Sequence, residues 1–485
     1  MELVAGVDVA TAGVRALVTD AAGRERARAH RPIPAPSSPR PGWWEQSAQA
    51  WWPAVAEALA EVTDRLGGER QAVTAVSVCA TSGTVVALDR EGEPVAPALA
   101  YADQRAVSQS AVAQDAAAAR WAKLGLGIQP SFGLPKWGWL CAQPGVAAAT
   151  ARLAHASDVV VCRLVGTLPP TDWSHALKSG YDPGREEWAT EALDALGIAP
   201  ELLPDVAPPT RPAGRVTGDA ALATGLPEGC LVRLGMTDSC AAQLAAGAGT
   251  PGQFVSVLGS TLVLKGTAEE PVCDPDGAVY SHRHPNGWWL PGGASSTGAG
   301  ALTAGFPRRA LAALDERAAR RGPARSVVYA LPGRGERFPF VAPDAEGFVL
   351  GQPRDEVDRY RAVLEGVAFV ERLGYERLAR LGATVTPPLA VTGGGSASPV
   401  WNRIRATTLG MALDAKPSAT TALGACMLAA AGTLHPDLAT ATAAMAVTGE
   451  RSEPVERERE ALAHSYARFL DALAARGWIT PQGVS

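Results

Sequence analysis

The sequence predicts an α/β protein made of two similar domains with a cleft between them. The chain has 485 residues, which is more than one hydrophobic core usually supports. Strand-like apolar runs alternate with helical patterns, and the strand, turn, strand pattern of the N-terminus begins again near residue 250. We therefore expect one domain at residues 1–247, a second at 248–485, and a ligand site between them.

The first domain opens with three predicted antiparallel strands. They read LVAGVDVA, VRALVTD and RERARAH, and turn residues at 11–13 and 20–23 separate them. After a Pro-rich loop at 32–41, apolar residues recur every three or four positions over 52–66, which predicts a helix. The next segment, AVTAVSVCATSGTVVALD, predicts a strand, a polar turn and another strand.

The second half repeats this pattern. It contains GQFVSVLGSTLVLKGT, again a strand, a small turn and a strand, and then the predicted hairpin GAVYSHRHPNGWWLPGG. Apolar residues at helical spacing over 355–381 predict a helix, which strand PLAVTGGG and helix SPVWNRIRATTLG follow. The last 50 residues are expected to form an amphipathic helix on the outside, and we assign them no chemistry.

Composition excludes several classes of function. The net charge is -5 and there is no basic stripe, so nucleic acid is not an expected partner. No apolar run reaches the length of a membrane span. Seven scattered cysteines without a CxxC pair, and a first ten residues without signal-peptide features, predict a reduced chain in the cytoplasm. We expect a small-molecule substrate, and a homodimer is left open.

The turn after the first predicted strand is a candidate phosphate site. It reads DVATAGVR at 8–15, with an acid at the strand end and hydroxyl and small residues in the turn. The backbone N–H groups of such a turn can hold phosphate oxygens, and Asp8 can bind hydrated Mg2+. An ordinary β-turn that Asp and Thr stabilise would use the same residues.

Two further segments favour a nucleotide. The turn LGST at 258–261 occupies the same place in the second half, and two such turns facing each other would clamp a triphosphate. The segment VTGGGS at 391–396 joins a predicted strand to a helix, where glycines allow close approach to a ring or a ribose. It lacks the GxGxxG pattern of dinucleotide-binding folds, and GGG also occurs in simple flexible loops.

The acid best placed for catalysis is Asp238, in the segment LGMTDSC at 234–240. It stands at the end of a predicted strand and the start of an Ala-rich helix, where an Asp is usually a helix cap. Phosphoryl transfer, however, needs one carboxylate beside the attacking hydroxyl, with most of the remainder supplied by positioning and Mg2+. We therefore expect Asp238 to accept the proton of the hydroxyl that is phosphorylated.

Taken in order, these motifs resemble the FGGY family of carbohydrate kinases over nearly the whole chain. The ordered set is DxxT, TSGT, DQR, KWGWL, GxTD, GST, GFVLG, RAVLEGVAF and VTGGG. KWGWL is similar to the core of one family signature, and EGFVLGQ with RAVLEGVAF is similar to the other. The resemblance implies an actin-like ATPase (ribonuclease H-like) fold, ATP as co-substrate, Mg2+, and a polyol or ketose as phosphate acceptor.

The resemblance also implies roles for individual residues. Asp238 becomes the general base, and Asp8 contacts both substrate and metal. The positions matching the sugar site are Ser82, Gly83, Thr84, Tyr101 and Asp103. The positions matching the nucleotide site are Thr11, Gly13, Arg15, Gly259, Ser260, Thr261, Gly394, Gly395 and Ser398. One position departs from the family, because Ala10 stands where a glycine is common.

Within the family, three stretches resemble the D-ribulokinase branch. They are TSGT at 81–84, GxTDS followed by LGSTLVLKG, and VYSHR followed by WxxGGAS at 289–295. Glycerol kinases carry Arg-Glu at the positions of Ser82-Gly83, and xylulokinases typically carry GTSG in place of LGST. The polar, uncharged Ser82 suits a ketose hydroxyl. D-ribulose is thus the first expected substrate and D-xylulose the second, both phosphorylated at O5.

Two other classes of function compete with a kinase. A nucleotide-dependent binding or assembly module would use the same two-domain clamp, but it does not need Asp238 together with Ser82 and Asp103. An ATP or polyphosphate hydrolase would use Asp238 to orient water.

The pair His282 and His284 is expected to be solvated or hydrogen-bonded rather than metal-binding, because no third ligand lies at a usual spacing.

Overall fold

The computed structural model describes residues 1–480. The first half of the chain is built on one main sheet, and the three predicted N-terminal strands are part of this sheet. The strands are β1 (Leu3–Ala10), β2 (Gly13–Thr19), β3 (Glu25–Pro32), β4 (Glu45–Gln46), β5 (Val73–Ala80), β6 (Val85–Leu88), β7 (Ala98–Leu99), β8 (Arg152–His155), β9 (Thr171–Asp172), β10 (Tyr181–Asp182), β11 (Glu187–Trp188), β12 (Val206–Ala207), β13 (Pro212–Arg215) and β14 (Leu231–Arg233). The helices are α1 (Trp51–Leu66), α2 (Val107–Ala116), α3 (Ala118–Leu124), α4 (Gly133–Cys141), α5 (Pro144–Ala149), α6 (Ala156–Val165), α7 (Trp173–Ala176), α8 (Thr190–Ala195), α9 (Gly218–Thr224) and α10 (Asp238–Ala245).

The main sheet of this half has the strand order β13-β14-β5-β1-β2-β3. Strands β1, β2 and β3 pair antiparallel, as predicted, whereas β1 pairs parallel with β5 and β5 parallel with β14. Helix α1 packs its apolar face on β2 and β3, which confirms the helix predicted from the spacing over 52–66. A smaller sheet, β4-β7-β6-β8, packs with α2 and α4 around Trp121 and Trp137.

The second half contains a sheet of the same arrangement. Its strands are β15 (Phe254–Leu258), β16 (Leu262–Gly266), β17 (Tyr280–Arg283), β18 (Trp289–Ala294), β19 (Val327–Tyr329), β20 (Phe348–Leu350), β21 (Leu389–Thr392), β22 (Leu413–Ala415) and β23 (Glu450–Ser452). Its helices are α11 (Gly300–Gly305), α12 (Leu311–Ala318), α13 (Glu356–Arg380), α14 (Pro399–Leu409), α15 (Thr421–Ala430), α16 (Leu438–Met445) and α17 (Glu456–Ala474).

The strand order here is β17-β18-β16-β15-β21-β22-β23. As in the first half, the first strand, β15, has an antiparallel partner on one side and two successive parallel neighbours on the other. The duplicated α/β fold with actin-like topology is therefore confirmed. The helices predicted near 355–381 and from Ser398 are present as α13 and α14, and α17 is the expected amphipathic C-terminal helix.

Two helices, α10 and α15, form the layer between the two sheets. Nine of the ten residues of α15 are buried, and the helix contacts β1 and β5 of the first sheet. The approach is so close that a Cβ atom at Gly6 would lie 2.3 Å from the carbonyl oxygen of Ala422. A helix from the second half thus covers the first sheet, and the boundary at 247/248 stays a prediction. Over residues 1–480 no helix has the length and apolar character needed to cross a membrane.

Candidate active site

The carboxyl ends of three parallel strands meet at one edge of the first sheet. Asp8 lies near the end of β1, the TSGT turn follows β5, and Asp238 follows β14. A backbone bridge between Ala80 and Thr237 holds the last two segments side by side. Gly235 makes this possible, because a Cβ atom there would lie 1.6 Å from the carbonyl oxygen of Val78. The predicted GxTD motif therefore needs its glycine for close backbone approach.

Asp238 is the first residue of α10 rather than its cap. Thr237 occupies the N-cap position and makes no side-chain capping bond. The Oδ1 atom of Asp238 accepts a hydrogen bond from the Ser239 N–H at 2.6 Å. The alternative interpretation of Asp238 as an ordinary helix cap thus does not describe its geometry.

A cavity of about 670 Å3 opens at this sheet edge. It brings together six of the residues predicted from the sequence, and these are Thr11, Gly13, Arg15, Ser82, Tyr101 and Asp238. Gly13 is constrained here as well, because a Cβ atom would lie 2.6 Å from Nε2 of His30, which also lines the cavity. The cavity is therefore polar on several sides and suits a ligand rich in oxygen atoms.

Asp8 is buried beside this cavity. Its Oδ2 atom accepts a hydrogen bond from Nη1 of Arg15 at 3.0 Å, across the paired strands β1 and β2. Burial raises the pKa of Asp8 to about 6; Arg15 opposes this rise and the negative charge of Asp238 adds to it. The Oδ1 atom has no hydrogen-bond partner among residues 1–480.

This setting of Asp8 fits the metal that the fold implies. A buried carboxylate oxygen without a partner, close to a second acid, is a suitable ligand for a divalent cation. Within residues 1–480 no group of three His, Cys, Asp or Glu side chains could hold a metal ion. Mg2+ would therefore be held by Asp8 together with phosphate oxygens and water, which is a common arrangement for Mg2+ in phosphoryl transfer.

The electrostatic setting of Asp238 is that of a proton acceptor. Burial raises its pKa, while the Ser239 N–H and the charges of His175, Lys178 and Lys265 lower it. A carboxylate whose pKa is raised accepts a proton more readily, and its ionised form is still kept available by the neighbouring cations. The arrangement can therefore remove a proton from a hydroxyl in the cavity.

The TSGT turn contains a buried hydroxyl without a hydrogen-bond partner among the described residues. This hydroxyl is that of Ser82. Gly83 has a φ of 78°, a conformation that favours glycine, and a Cβ atom there would meet the carbonyl oxygen of Ser131 at 3.0 Å. Thr84 is buried and donates its N–H to the carbonyl oxygen of Thr81 at 3.4 Å. Of these three residues, only Ser82 lines the cavity.

Tyr101 and Asp103 lie in different environments. Tyr101 lines the cavity and is 49% exposed, so it can reach a ligand at the entrance. Asp103 is fully buried and does not line the cavity. Its carboxylate accepts hydrogen bonds from the N–H of Trp44 at 2.6 Å and from the N–H and Nε of Arg105 at 3.0 Å. Its predicted contact with a sugar hydroxyl stays a prediction.

Lys136, from the KWGWL segment, lies beneath the sugar side of the site. Its buried ammonium donates to the carbonyl oxygen of Gly83 at 2.9 Å and to that of Ala100 at 2.7 Å. These carbonyls belong to the TSGT turn and to the residue before Tyr101. Lys136 therefore ties two cavity-forming segments together and has no contact with the cavity itself. Burial lowers its pKa to about 7.

Sequence reasoning passed over the segment TDWSHALK at 171–178. In the structure, Asp172 accepts hydrogen bonds from Nδ1 of His175 and from Oγ of Ser174, the latter at 2.5 Å. Ser174 Oγ in turn accepts the Thr237 N–H at 2.9 Å, directly before Asp238. Lys178, six residues after Asp172, lines the cavity. The signal in the sequence was a dense group of polar residues between apolar segments.

The nucleotide residues predicted in the second half form a separate cluster. Gly259, Ser260 and Thr261 form the turn between β15 and β16. The glycine segment lies against this turn, since Cβ atoms at Gly393 and Gly395 would lie 2.7 Å and 2.5 Å from atoms of Leu258. A Cβ atom at Gly394 would meet open space. None of these residues lines the 670 Å3 cavity, so their contacts with a nucleotide stay predictions.

Of the other predicted positions, Ser398 and His284 have hydrogen-bond partners in the structure. Ser398 caps α14, where its Oγ accepts the Trp401 N–H at 3.2 Å. His282 and His284 are buried rather than solvated, at 3% and 0% exposure. Nδ1 of His284 accepts the Asn286 N–H at 3.1 Å, in keeping with the hydrogen-bonded alternative.

The chain is similar to known proteins over nearly its whole length. The pattern described as "FGGY family of carbohydrate kinases, N-terminal domain" matches residues 3–245, and that of the C-terminal domain matches residues 254–433. A xylulose kinase of Streptomyces rubiginosus is 30% identical over 471 residues, which are 95% of this chain and 94% of the relative. A glycerol kinase of Gloeobacter violaceus is 28% identical and covers 88% of this chain and 87% of its own.

A solved structure has the same fold over almost the full length. The xylulose kinase from Rhodospirillum rubrum superimposes with a TM-score of 0.87 at 28% identity, and the match covers 98% of this chain and 99% of the other. Both domain patterns, the full-length relatives and the matching fold agree with the motif order found in the sequence. The chain belongs to the FGGY family of carbohydrate kinases.

Proposed function

We propose that this kinase transfers the γ-phosphoryl group of ATP to the terminal hydroxyl of a ketopentose, with D-ribulose as the first candidate. The observation that carries the proposal is one cavity lined by both Asp238 and Ser82, whose hydroxyl has no hydrogen-bond partner within residues 1–480. The Asp238 carboxylate accepts the proton of the attacking hydroxyl, and the Ser82 hydroxyl can bind a second hydroxyl of the same sugar. A polyhydroxylated substrate needs both functions in one cavity.

Asp238 accepts the proton of O5 as this oxygen forms its bond to phosphorus and the bond to the leaving ADP breaks. Arg15 lines the same cavity and offers a positive charge to the phosphate side. Mg2+ held by Asp8 would neutralise charge on the phosphate oxygens. In this proposal residues 1–247 bind the sugar and residues 248–485 bind the nucleotide, with Gly259–Thr261 and Gly394–Ser398 on the nucleotide.

Two sugars compete for the acceptor role. D-ribulose is favoured by the local resemblance of TSGT, LGSTLVLKG and WxxGGAS to the D-ribulokinase branch. D-xylulose is favoured by the names of the most similar relatives, among them the Streptomyces rubiginosus protein. The two ketoses differ in configuration at C3 only, so discrimination depends on contacts with O3.

A coupled assay of ADP release tests the proposal. The purified protein is given ATP, Mg2+ and, in parallel, D-ribulose, D-xylulose, pentitols or glycerol, with a reaction without sugar as control. We expect turnover that a pentulose stimulates, and kcat/KM ranks the candidates. Turnover that is independent of sugar would indicate a hydrolase instead. A rate with glycerol or a pentitol far above that with either pentulose would contradict the ketopentose assignment.

A further inference from the structure

We infer that Lys178 binds an oxygen of the acceptor sugar and is a third polar contact beside Ser82 and Asp238. The inference rests on the proposed function and adds a binding residue that the motif resemblance does not supply. Lys178 lies in the turn Leu177–Ser179 that follows α7, and it lines the same cavity as Ser82 and Asp238.

The ammonium group of Lys178 has spare hydrogen-bonding capacity. It pairs with no carboxylate within residues 1–480 at salt-bridge distance. Its neighbours are the rings of Phe132 at 5.1 Å and Tyr280 at 5.5 Å, and the nearby Tyr280 side chain helps to raise its pKa. An ammonium offers three donors, and a partly buried one is costly when they stay unused. A sugar in the cavity would supply the missing acceptors.

The other two cations near Asp238 are already engaged, and Nδ1 of His175 pairs with Asp172. Lys265 is buried, it does not line the cavity, and its Nζ donates to Sγ of Cys240 at 3.1 Å. Lys178, which has donors to spare, and Ser82, whose Oγ has no hydrogen-bond partner within residues 1–480, both line the cavity that Asp238 lines. An oxygen-rich ligand in this cavity would supply acceptors to Lys178 and a partner to Ser82.

A purely structural role for Lys178 makes a different prediction. Lys178 belongs to the first half and Tyr280 to the second, so the pair could serve only to hold the halves together. Loss of such a contact would lower stability and would change the kinetics for sugar and ATP alike. Loss of a sugar contact raises the KM of the sugar alone.

The test compares Lys178→Met and Lys178→Gln with Lys123→Met, which removes an exposed lysine of α3 outside the cavity. For the pentulose preferred by the wild type, we measure KM and kcat, the KM of ATP, and sugar binding by calorimetry without nucleotide. Because a hydrogen bond to a charged group is worth about 1.5–3 kcal/mol, the sugar KM of Lys178→Met should rise about 10- to 100-fold. The sugar KM of Lys178→Gln, which keeps a hydrogen-bond donor, should lie between those of the wild type and Lys178→Met. The KM of ATP in both Lys178 variants, and both KM values of the Lys123→Met control, should stay within about twofold of the wild type.

Each outcome has one meaning. A sugar KM and calorimetric affinity unchanged in both Lys178 variants would overturn the inference and leave the kinase assignment intact. Equal changes for sugar and ATP would assign Lys178 to interdomain packing, and so would also overturn it. If Lys178→Met does not fold, the result with Lys178→Gln decides. If the wild type neither binds nor phosphorylates any pentulose, the proposed function and the inference both fail.

Discussion

Replacing Lys136 with Met should change how the stability of this protein depends on pH. Lys136 is fully buried, and its ammonium donates to the carbonyl oxygens of Gly83 and Ala100. Burial lowers its pKa from 10.5 to about 7, and the nearby negative charge of Asp103 only partly offsets this. The neutral amine keeps N–H donors for both carbonyls, so loss of the proton does not leave them unpaired. Methionine has a similar length and no proton to bind.

The sign of the effect follows from proton binding. Because the folded state favours the neutral amine, the unfolded chain binds more protons between about pH 7 and about pH 10.5, and stability rises with pH through this window. One pKa unit corresponds to about 1.4 kcal/mol, so this lysine adds about 2 kcal/mol to the free energy of unfolding between about pH 7 and about pH 9. The variant lacks this gain.

The assay is urea unfolding of wild type and Lys136→Met at both pH values, followed by tryptophan fluorescence. The free energy of unfolding of wild type minus that of the variant should rise by about 2 kcal/mol as the pH rises, since the other titrating groups cancel in the difference. Lys123→Met, at an exposed lysine, should give a flat difference. If the difference in free energy of unfolding between wild type and Lys136→Met also did not change with pH, the depressed pKa of the buried Lys136 would be refuted.

Three further predictions concern the site. Asp238→Asn should fold and bind ATP but lose about 100- to 10,000-fold in kcat, because the proton acceptor is gone. Turnover equal to that of the wild type would contradict the assignment of Asp238 as general base. Turnover should fall as the pH drops through the pKa of Asp238, which burial raises above the 3.8 of an ordinary Asp, and a fall in turnover only at or below that ordinary pKa would contradict this. Gly235→Ala should destabilise the protein by about 3 kcal/mol or more, because its Cβ atom would lie 1.6 Å from the Val78 oxygen; thermal unfolding checks this.

The features predicted well from the sequence depend on neighbours in the chain. The strand, turn, strand unit around Thr11 is closed by residues a few positions apart, so its pattern is visible in the letters. Lys136 acquires its role from Gly83 and Ala100, which lie 53 and 36 positions away. Lys178 becomes a cavity residue only when the segment after α7 packs beside the end of β14. Such contacts form only in the tertiary fold, so no local sequence pattern predicts them.

Helix α15 illustrates the same limit in another way. Its segment, TALGACMLAA, is apolar on all sides, so it has no amphipathic period that would mark it as a surface helix. In the structure it is buried on every side between the two sheets. The uniformly apolar sequence of α15 thus indicates a buried helix, but it does not indicate which sheet the helix covers.

The position of α15 has a consequence for biosynthesis. The first sheet is complete once residue 233 has been made, yet the face of β1 and β5 toward α15 stays uncovered until about 200 more residues have left the ribosome. During that interval the nascent chain carries an apolar surface that only its own later sequence can cover. A polypeptide that stops before Thr421 should therefore aggregate or recruit chaperones.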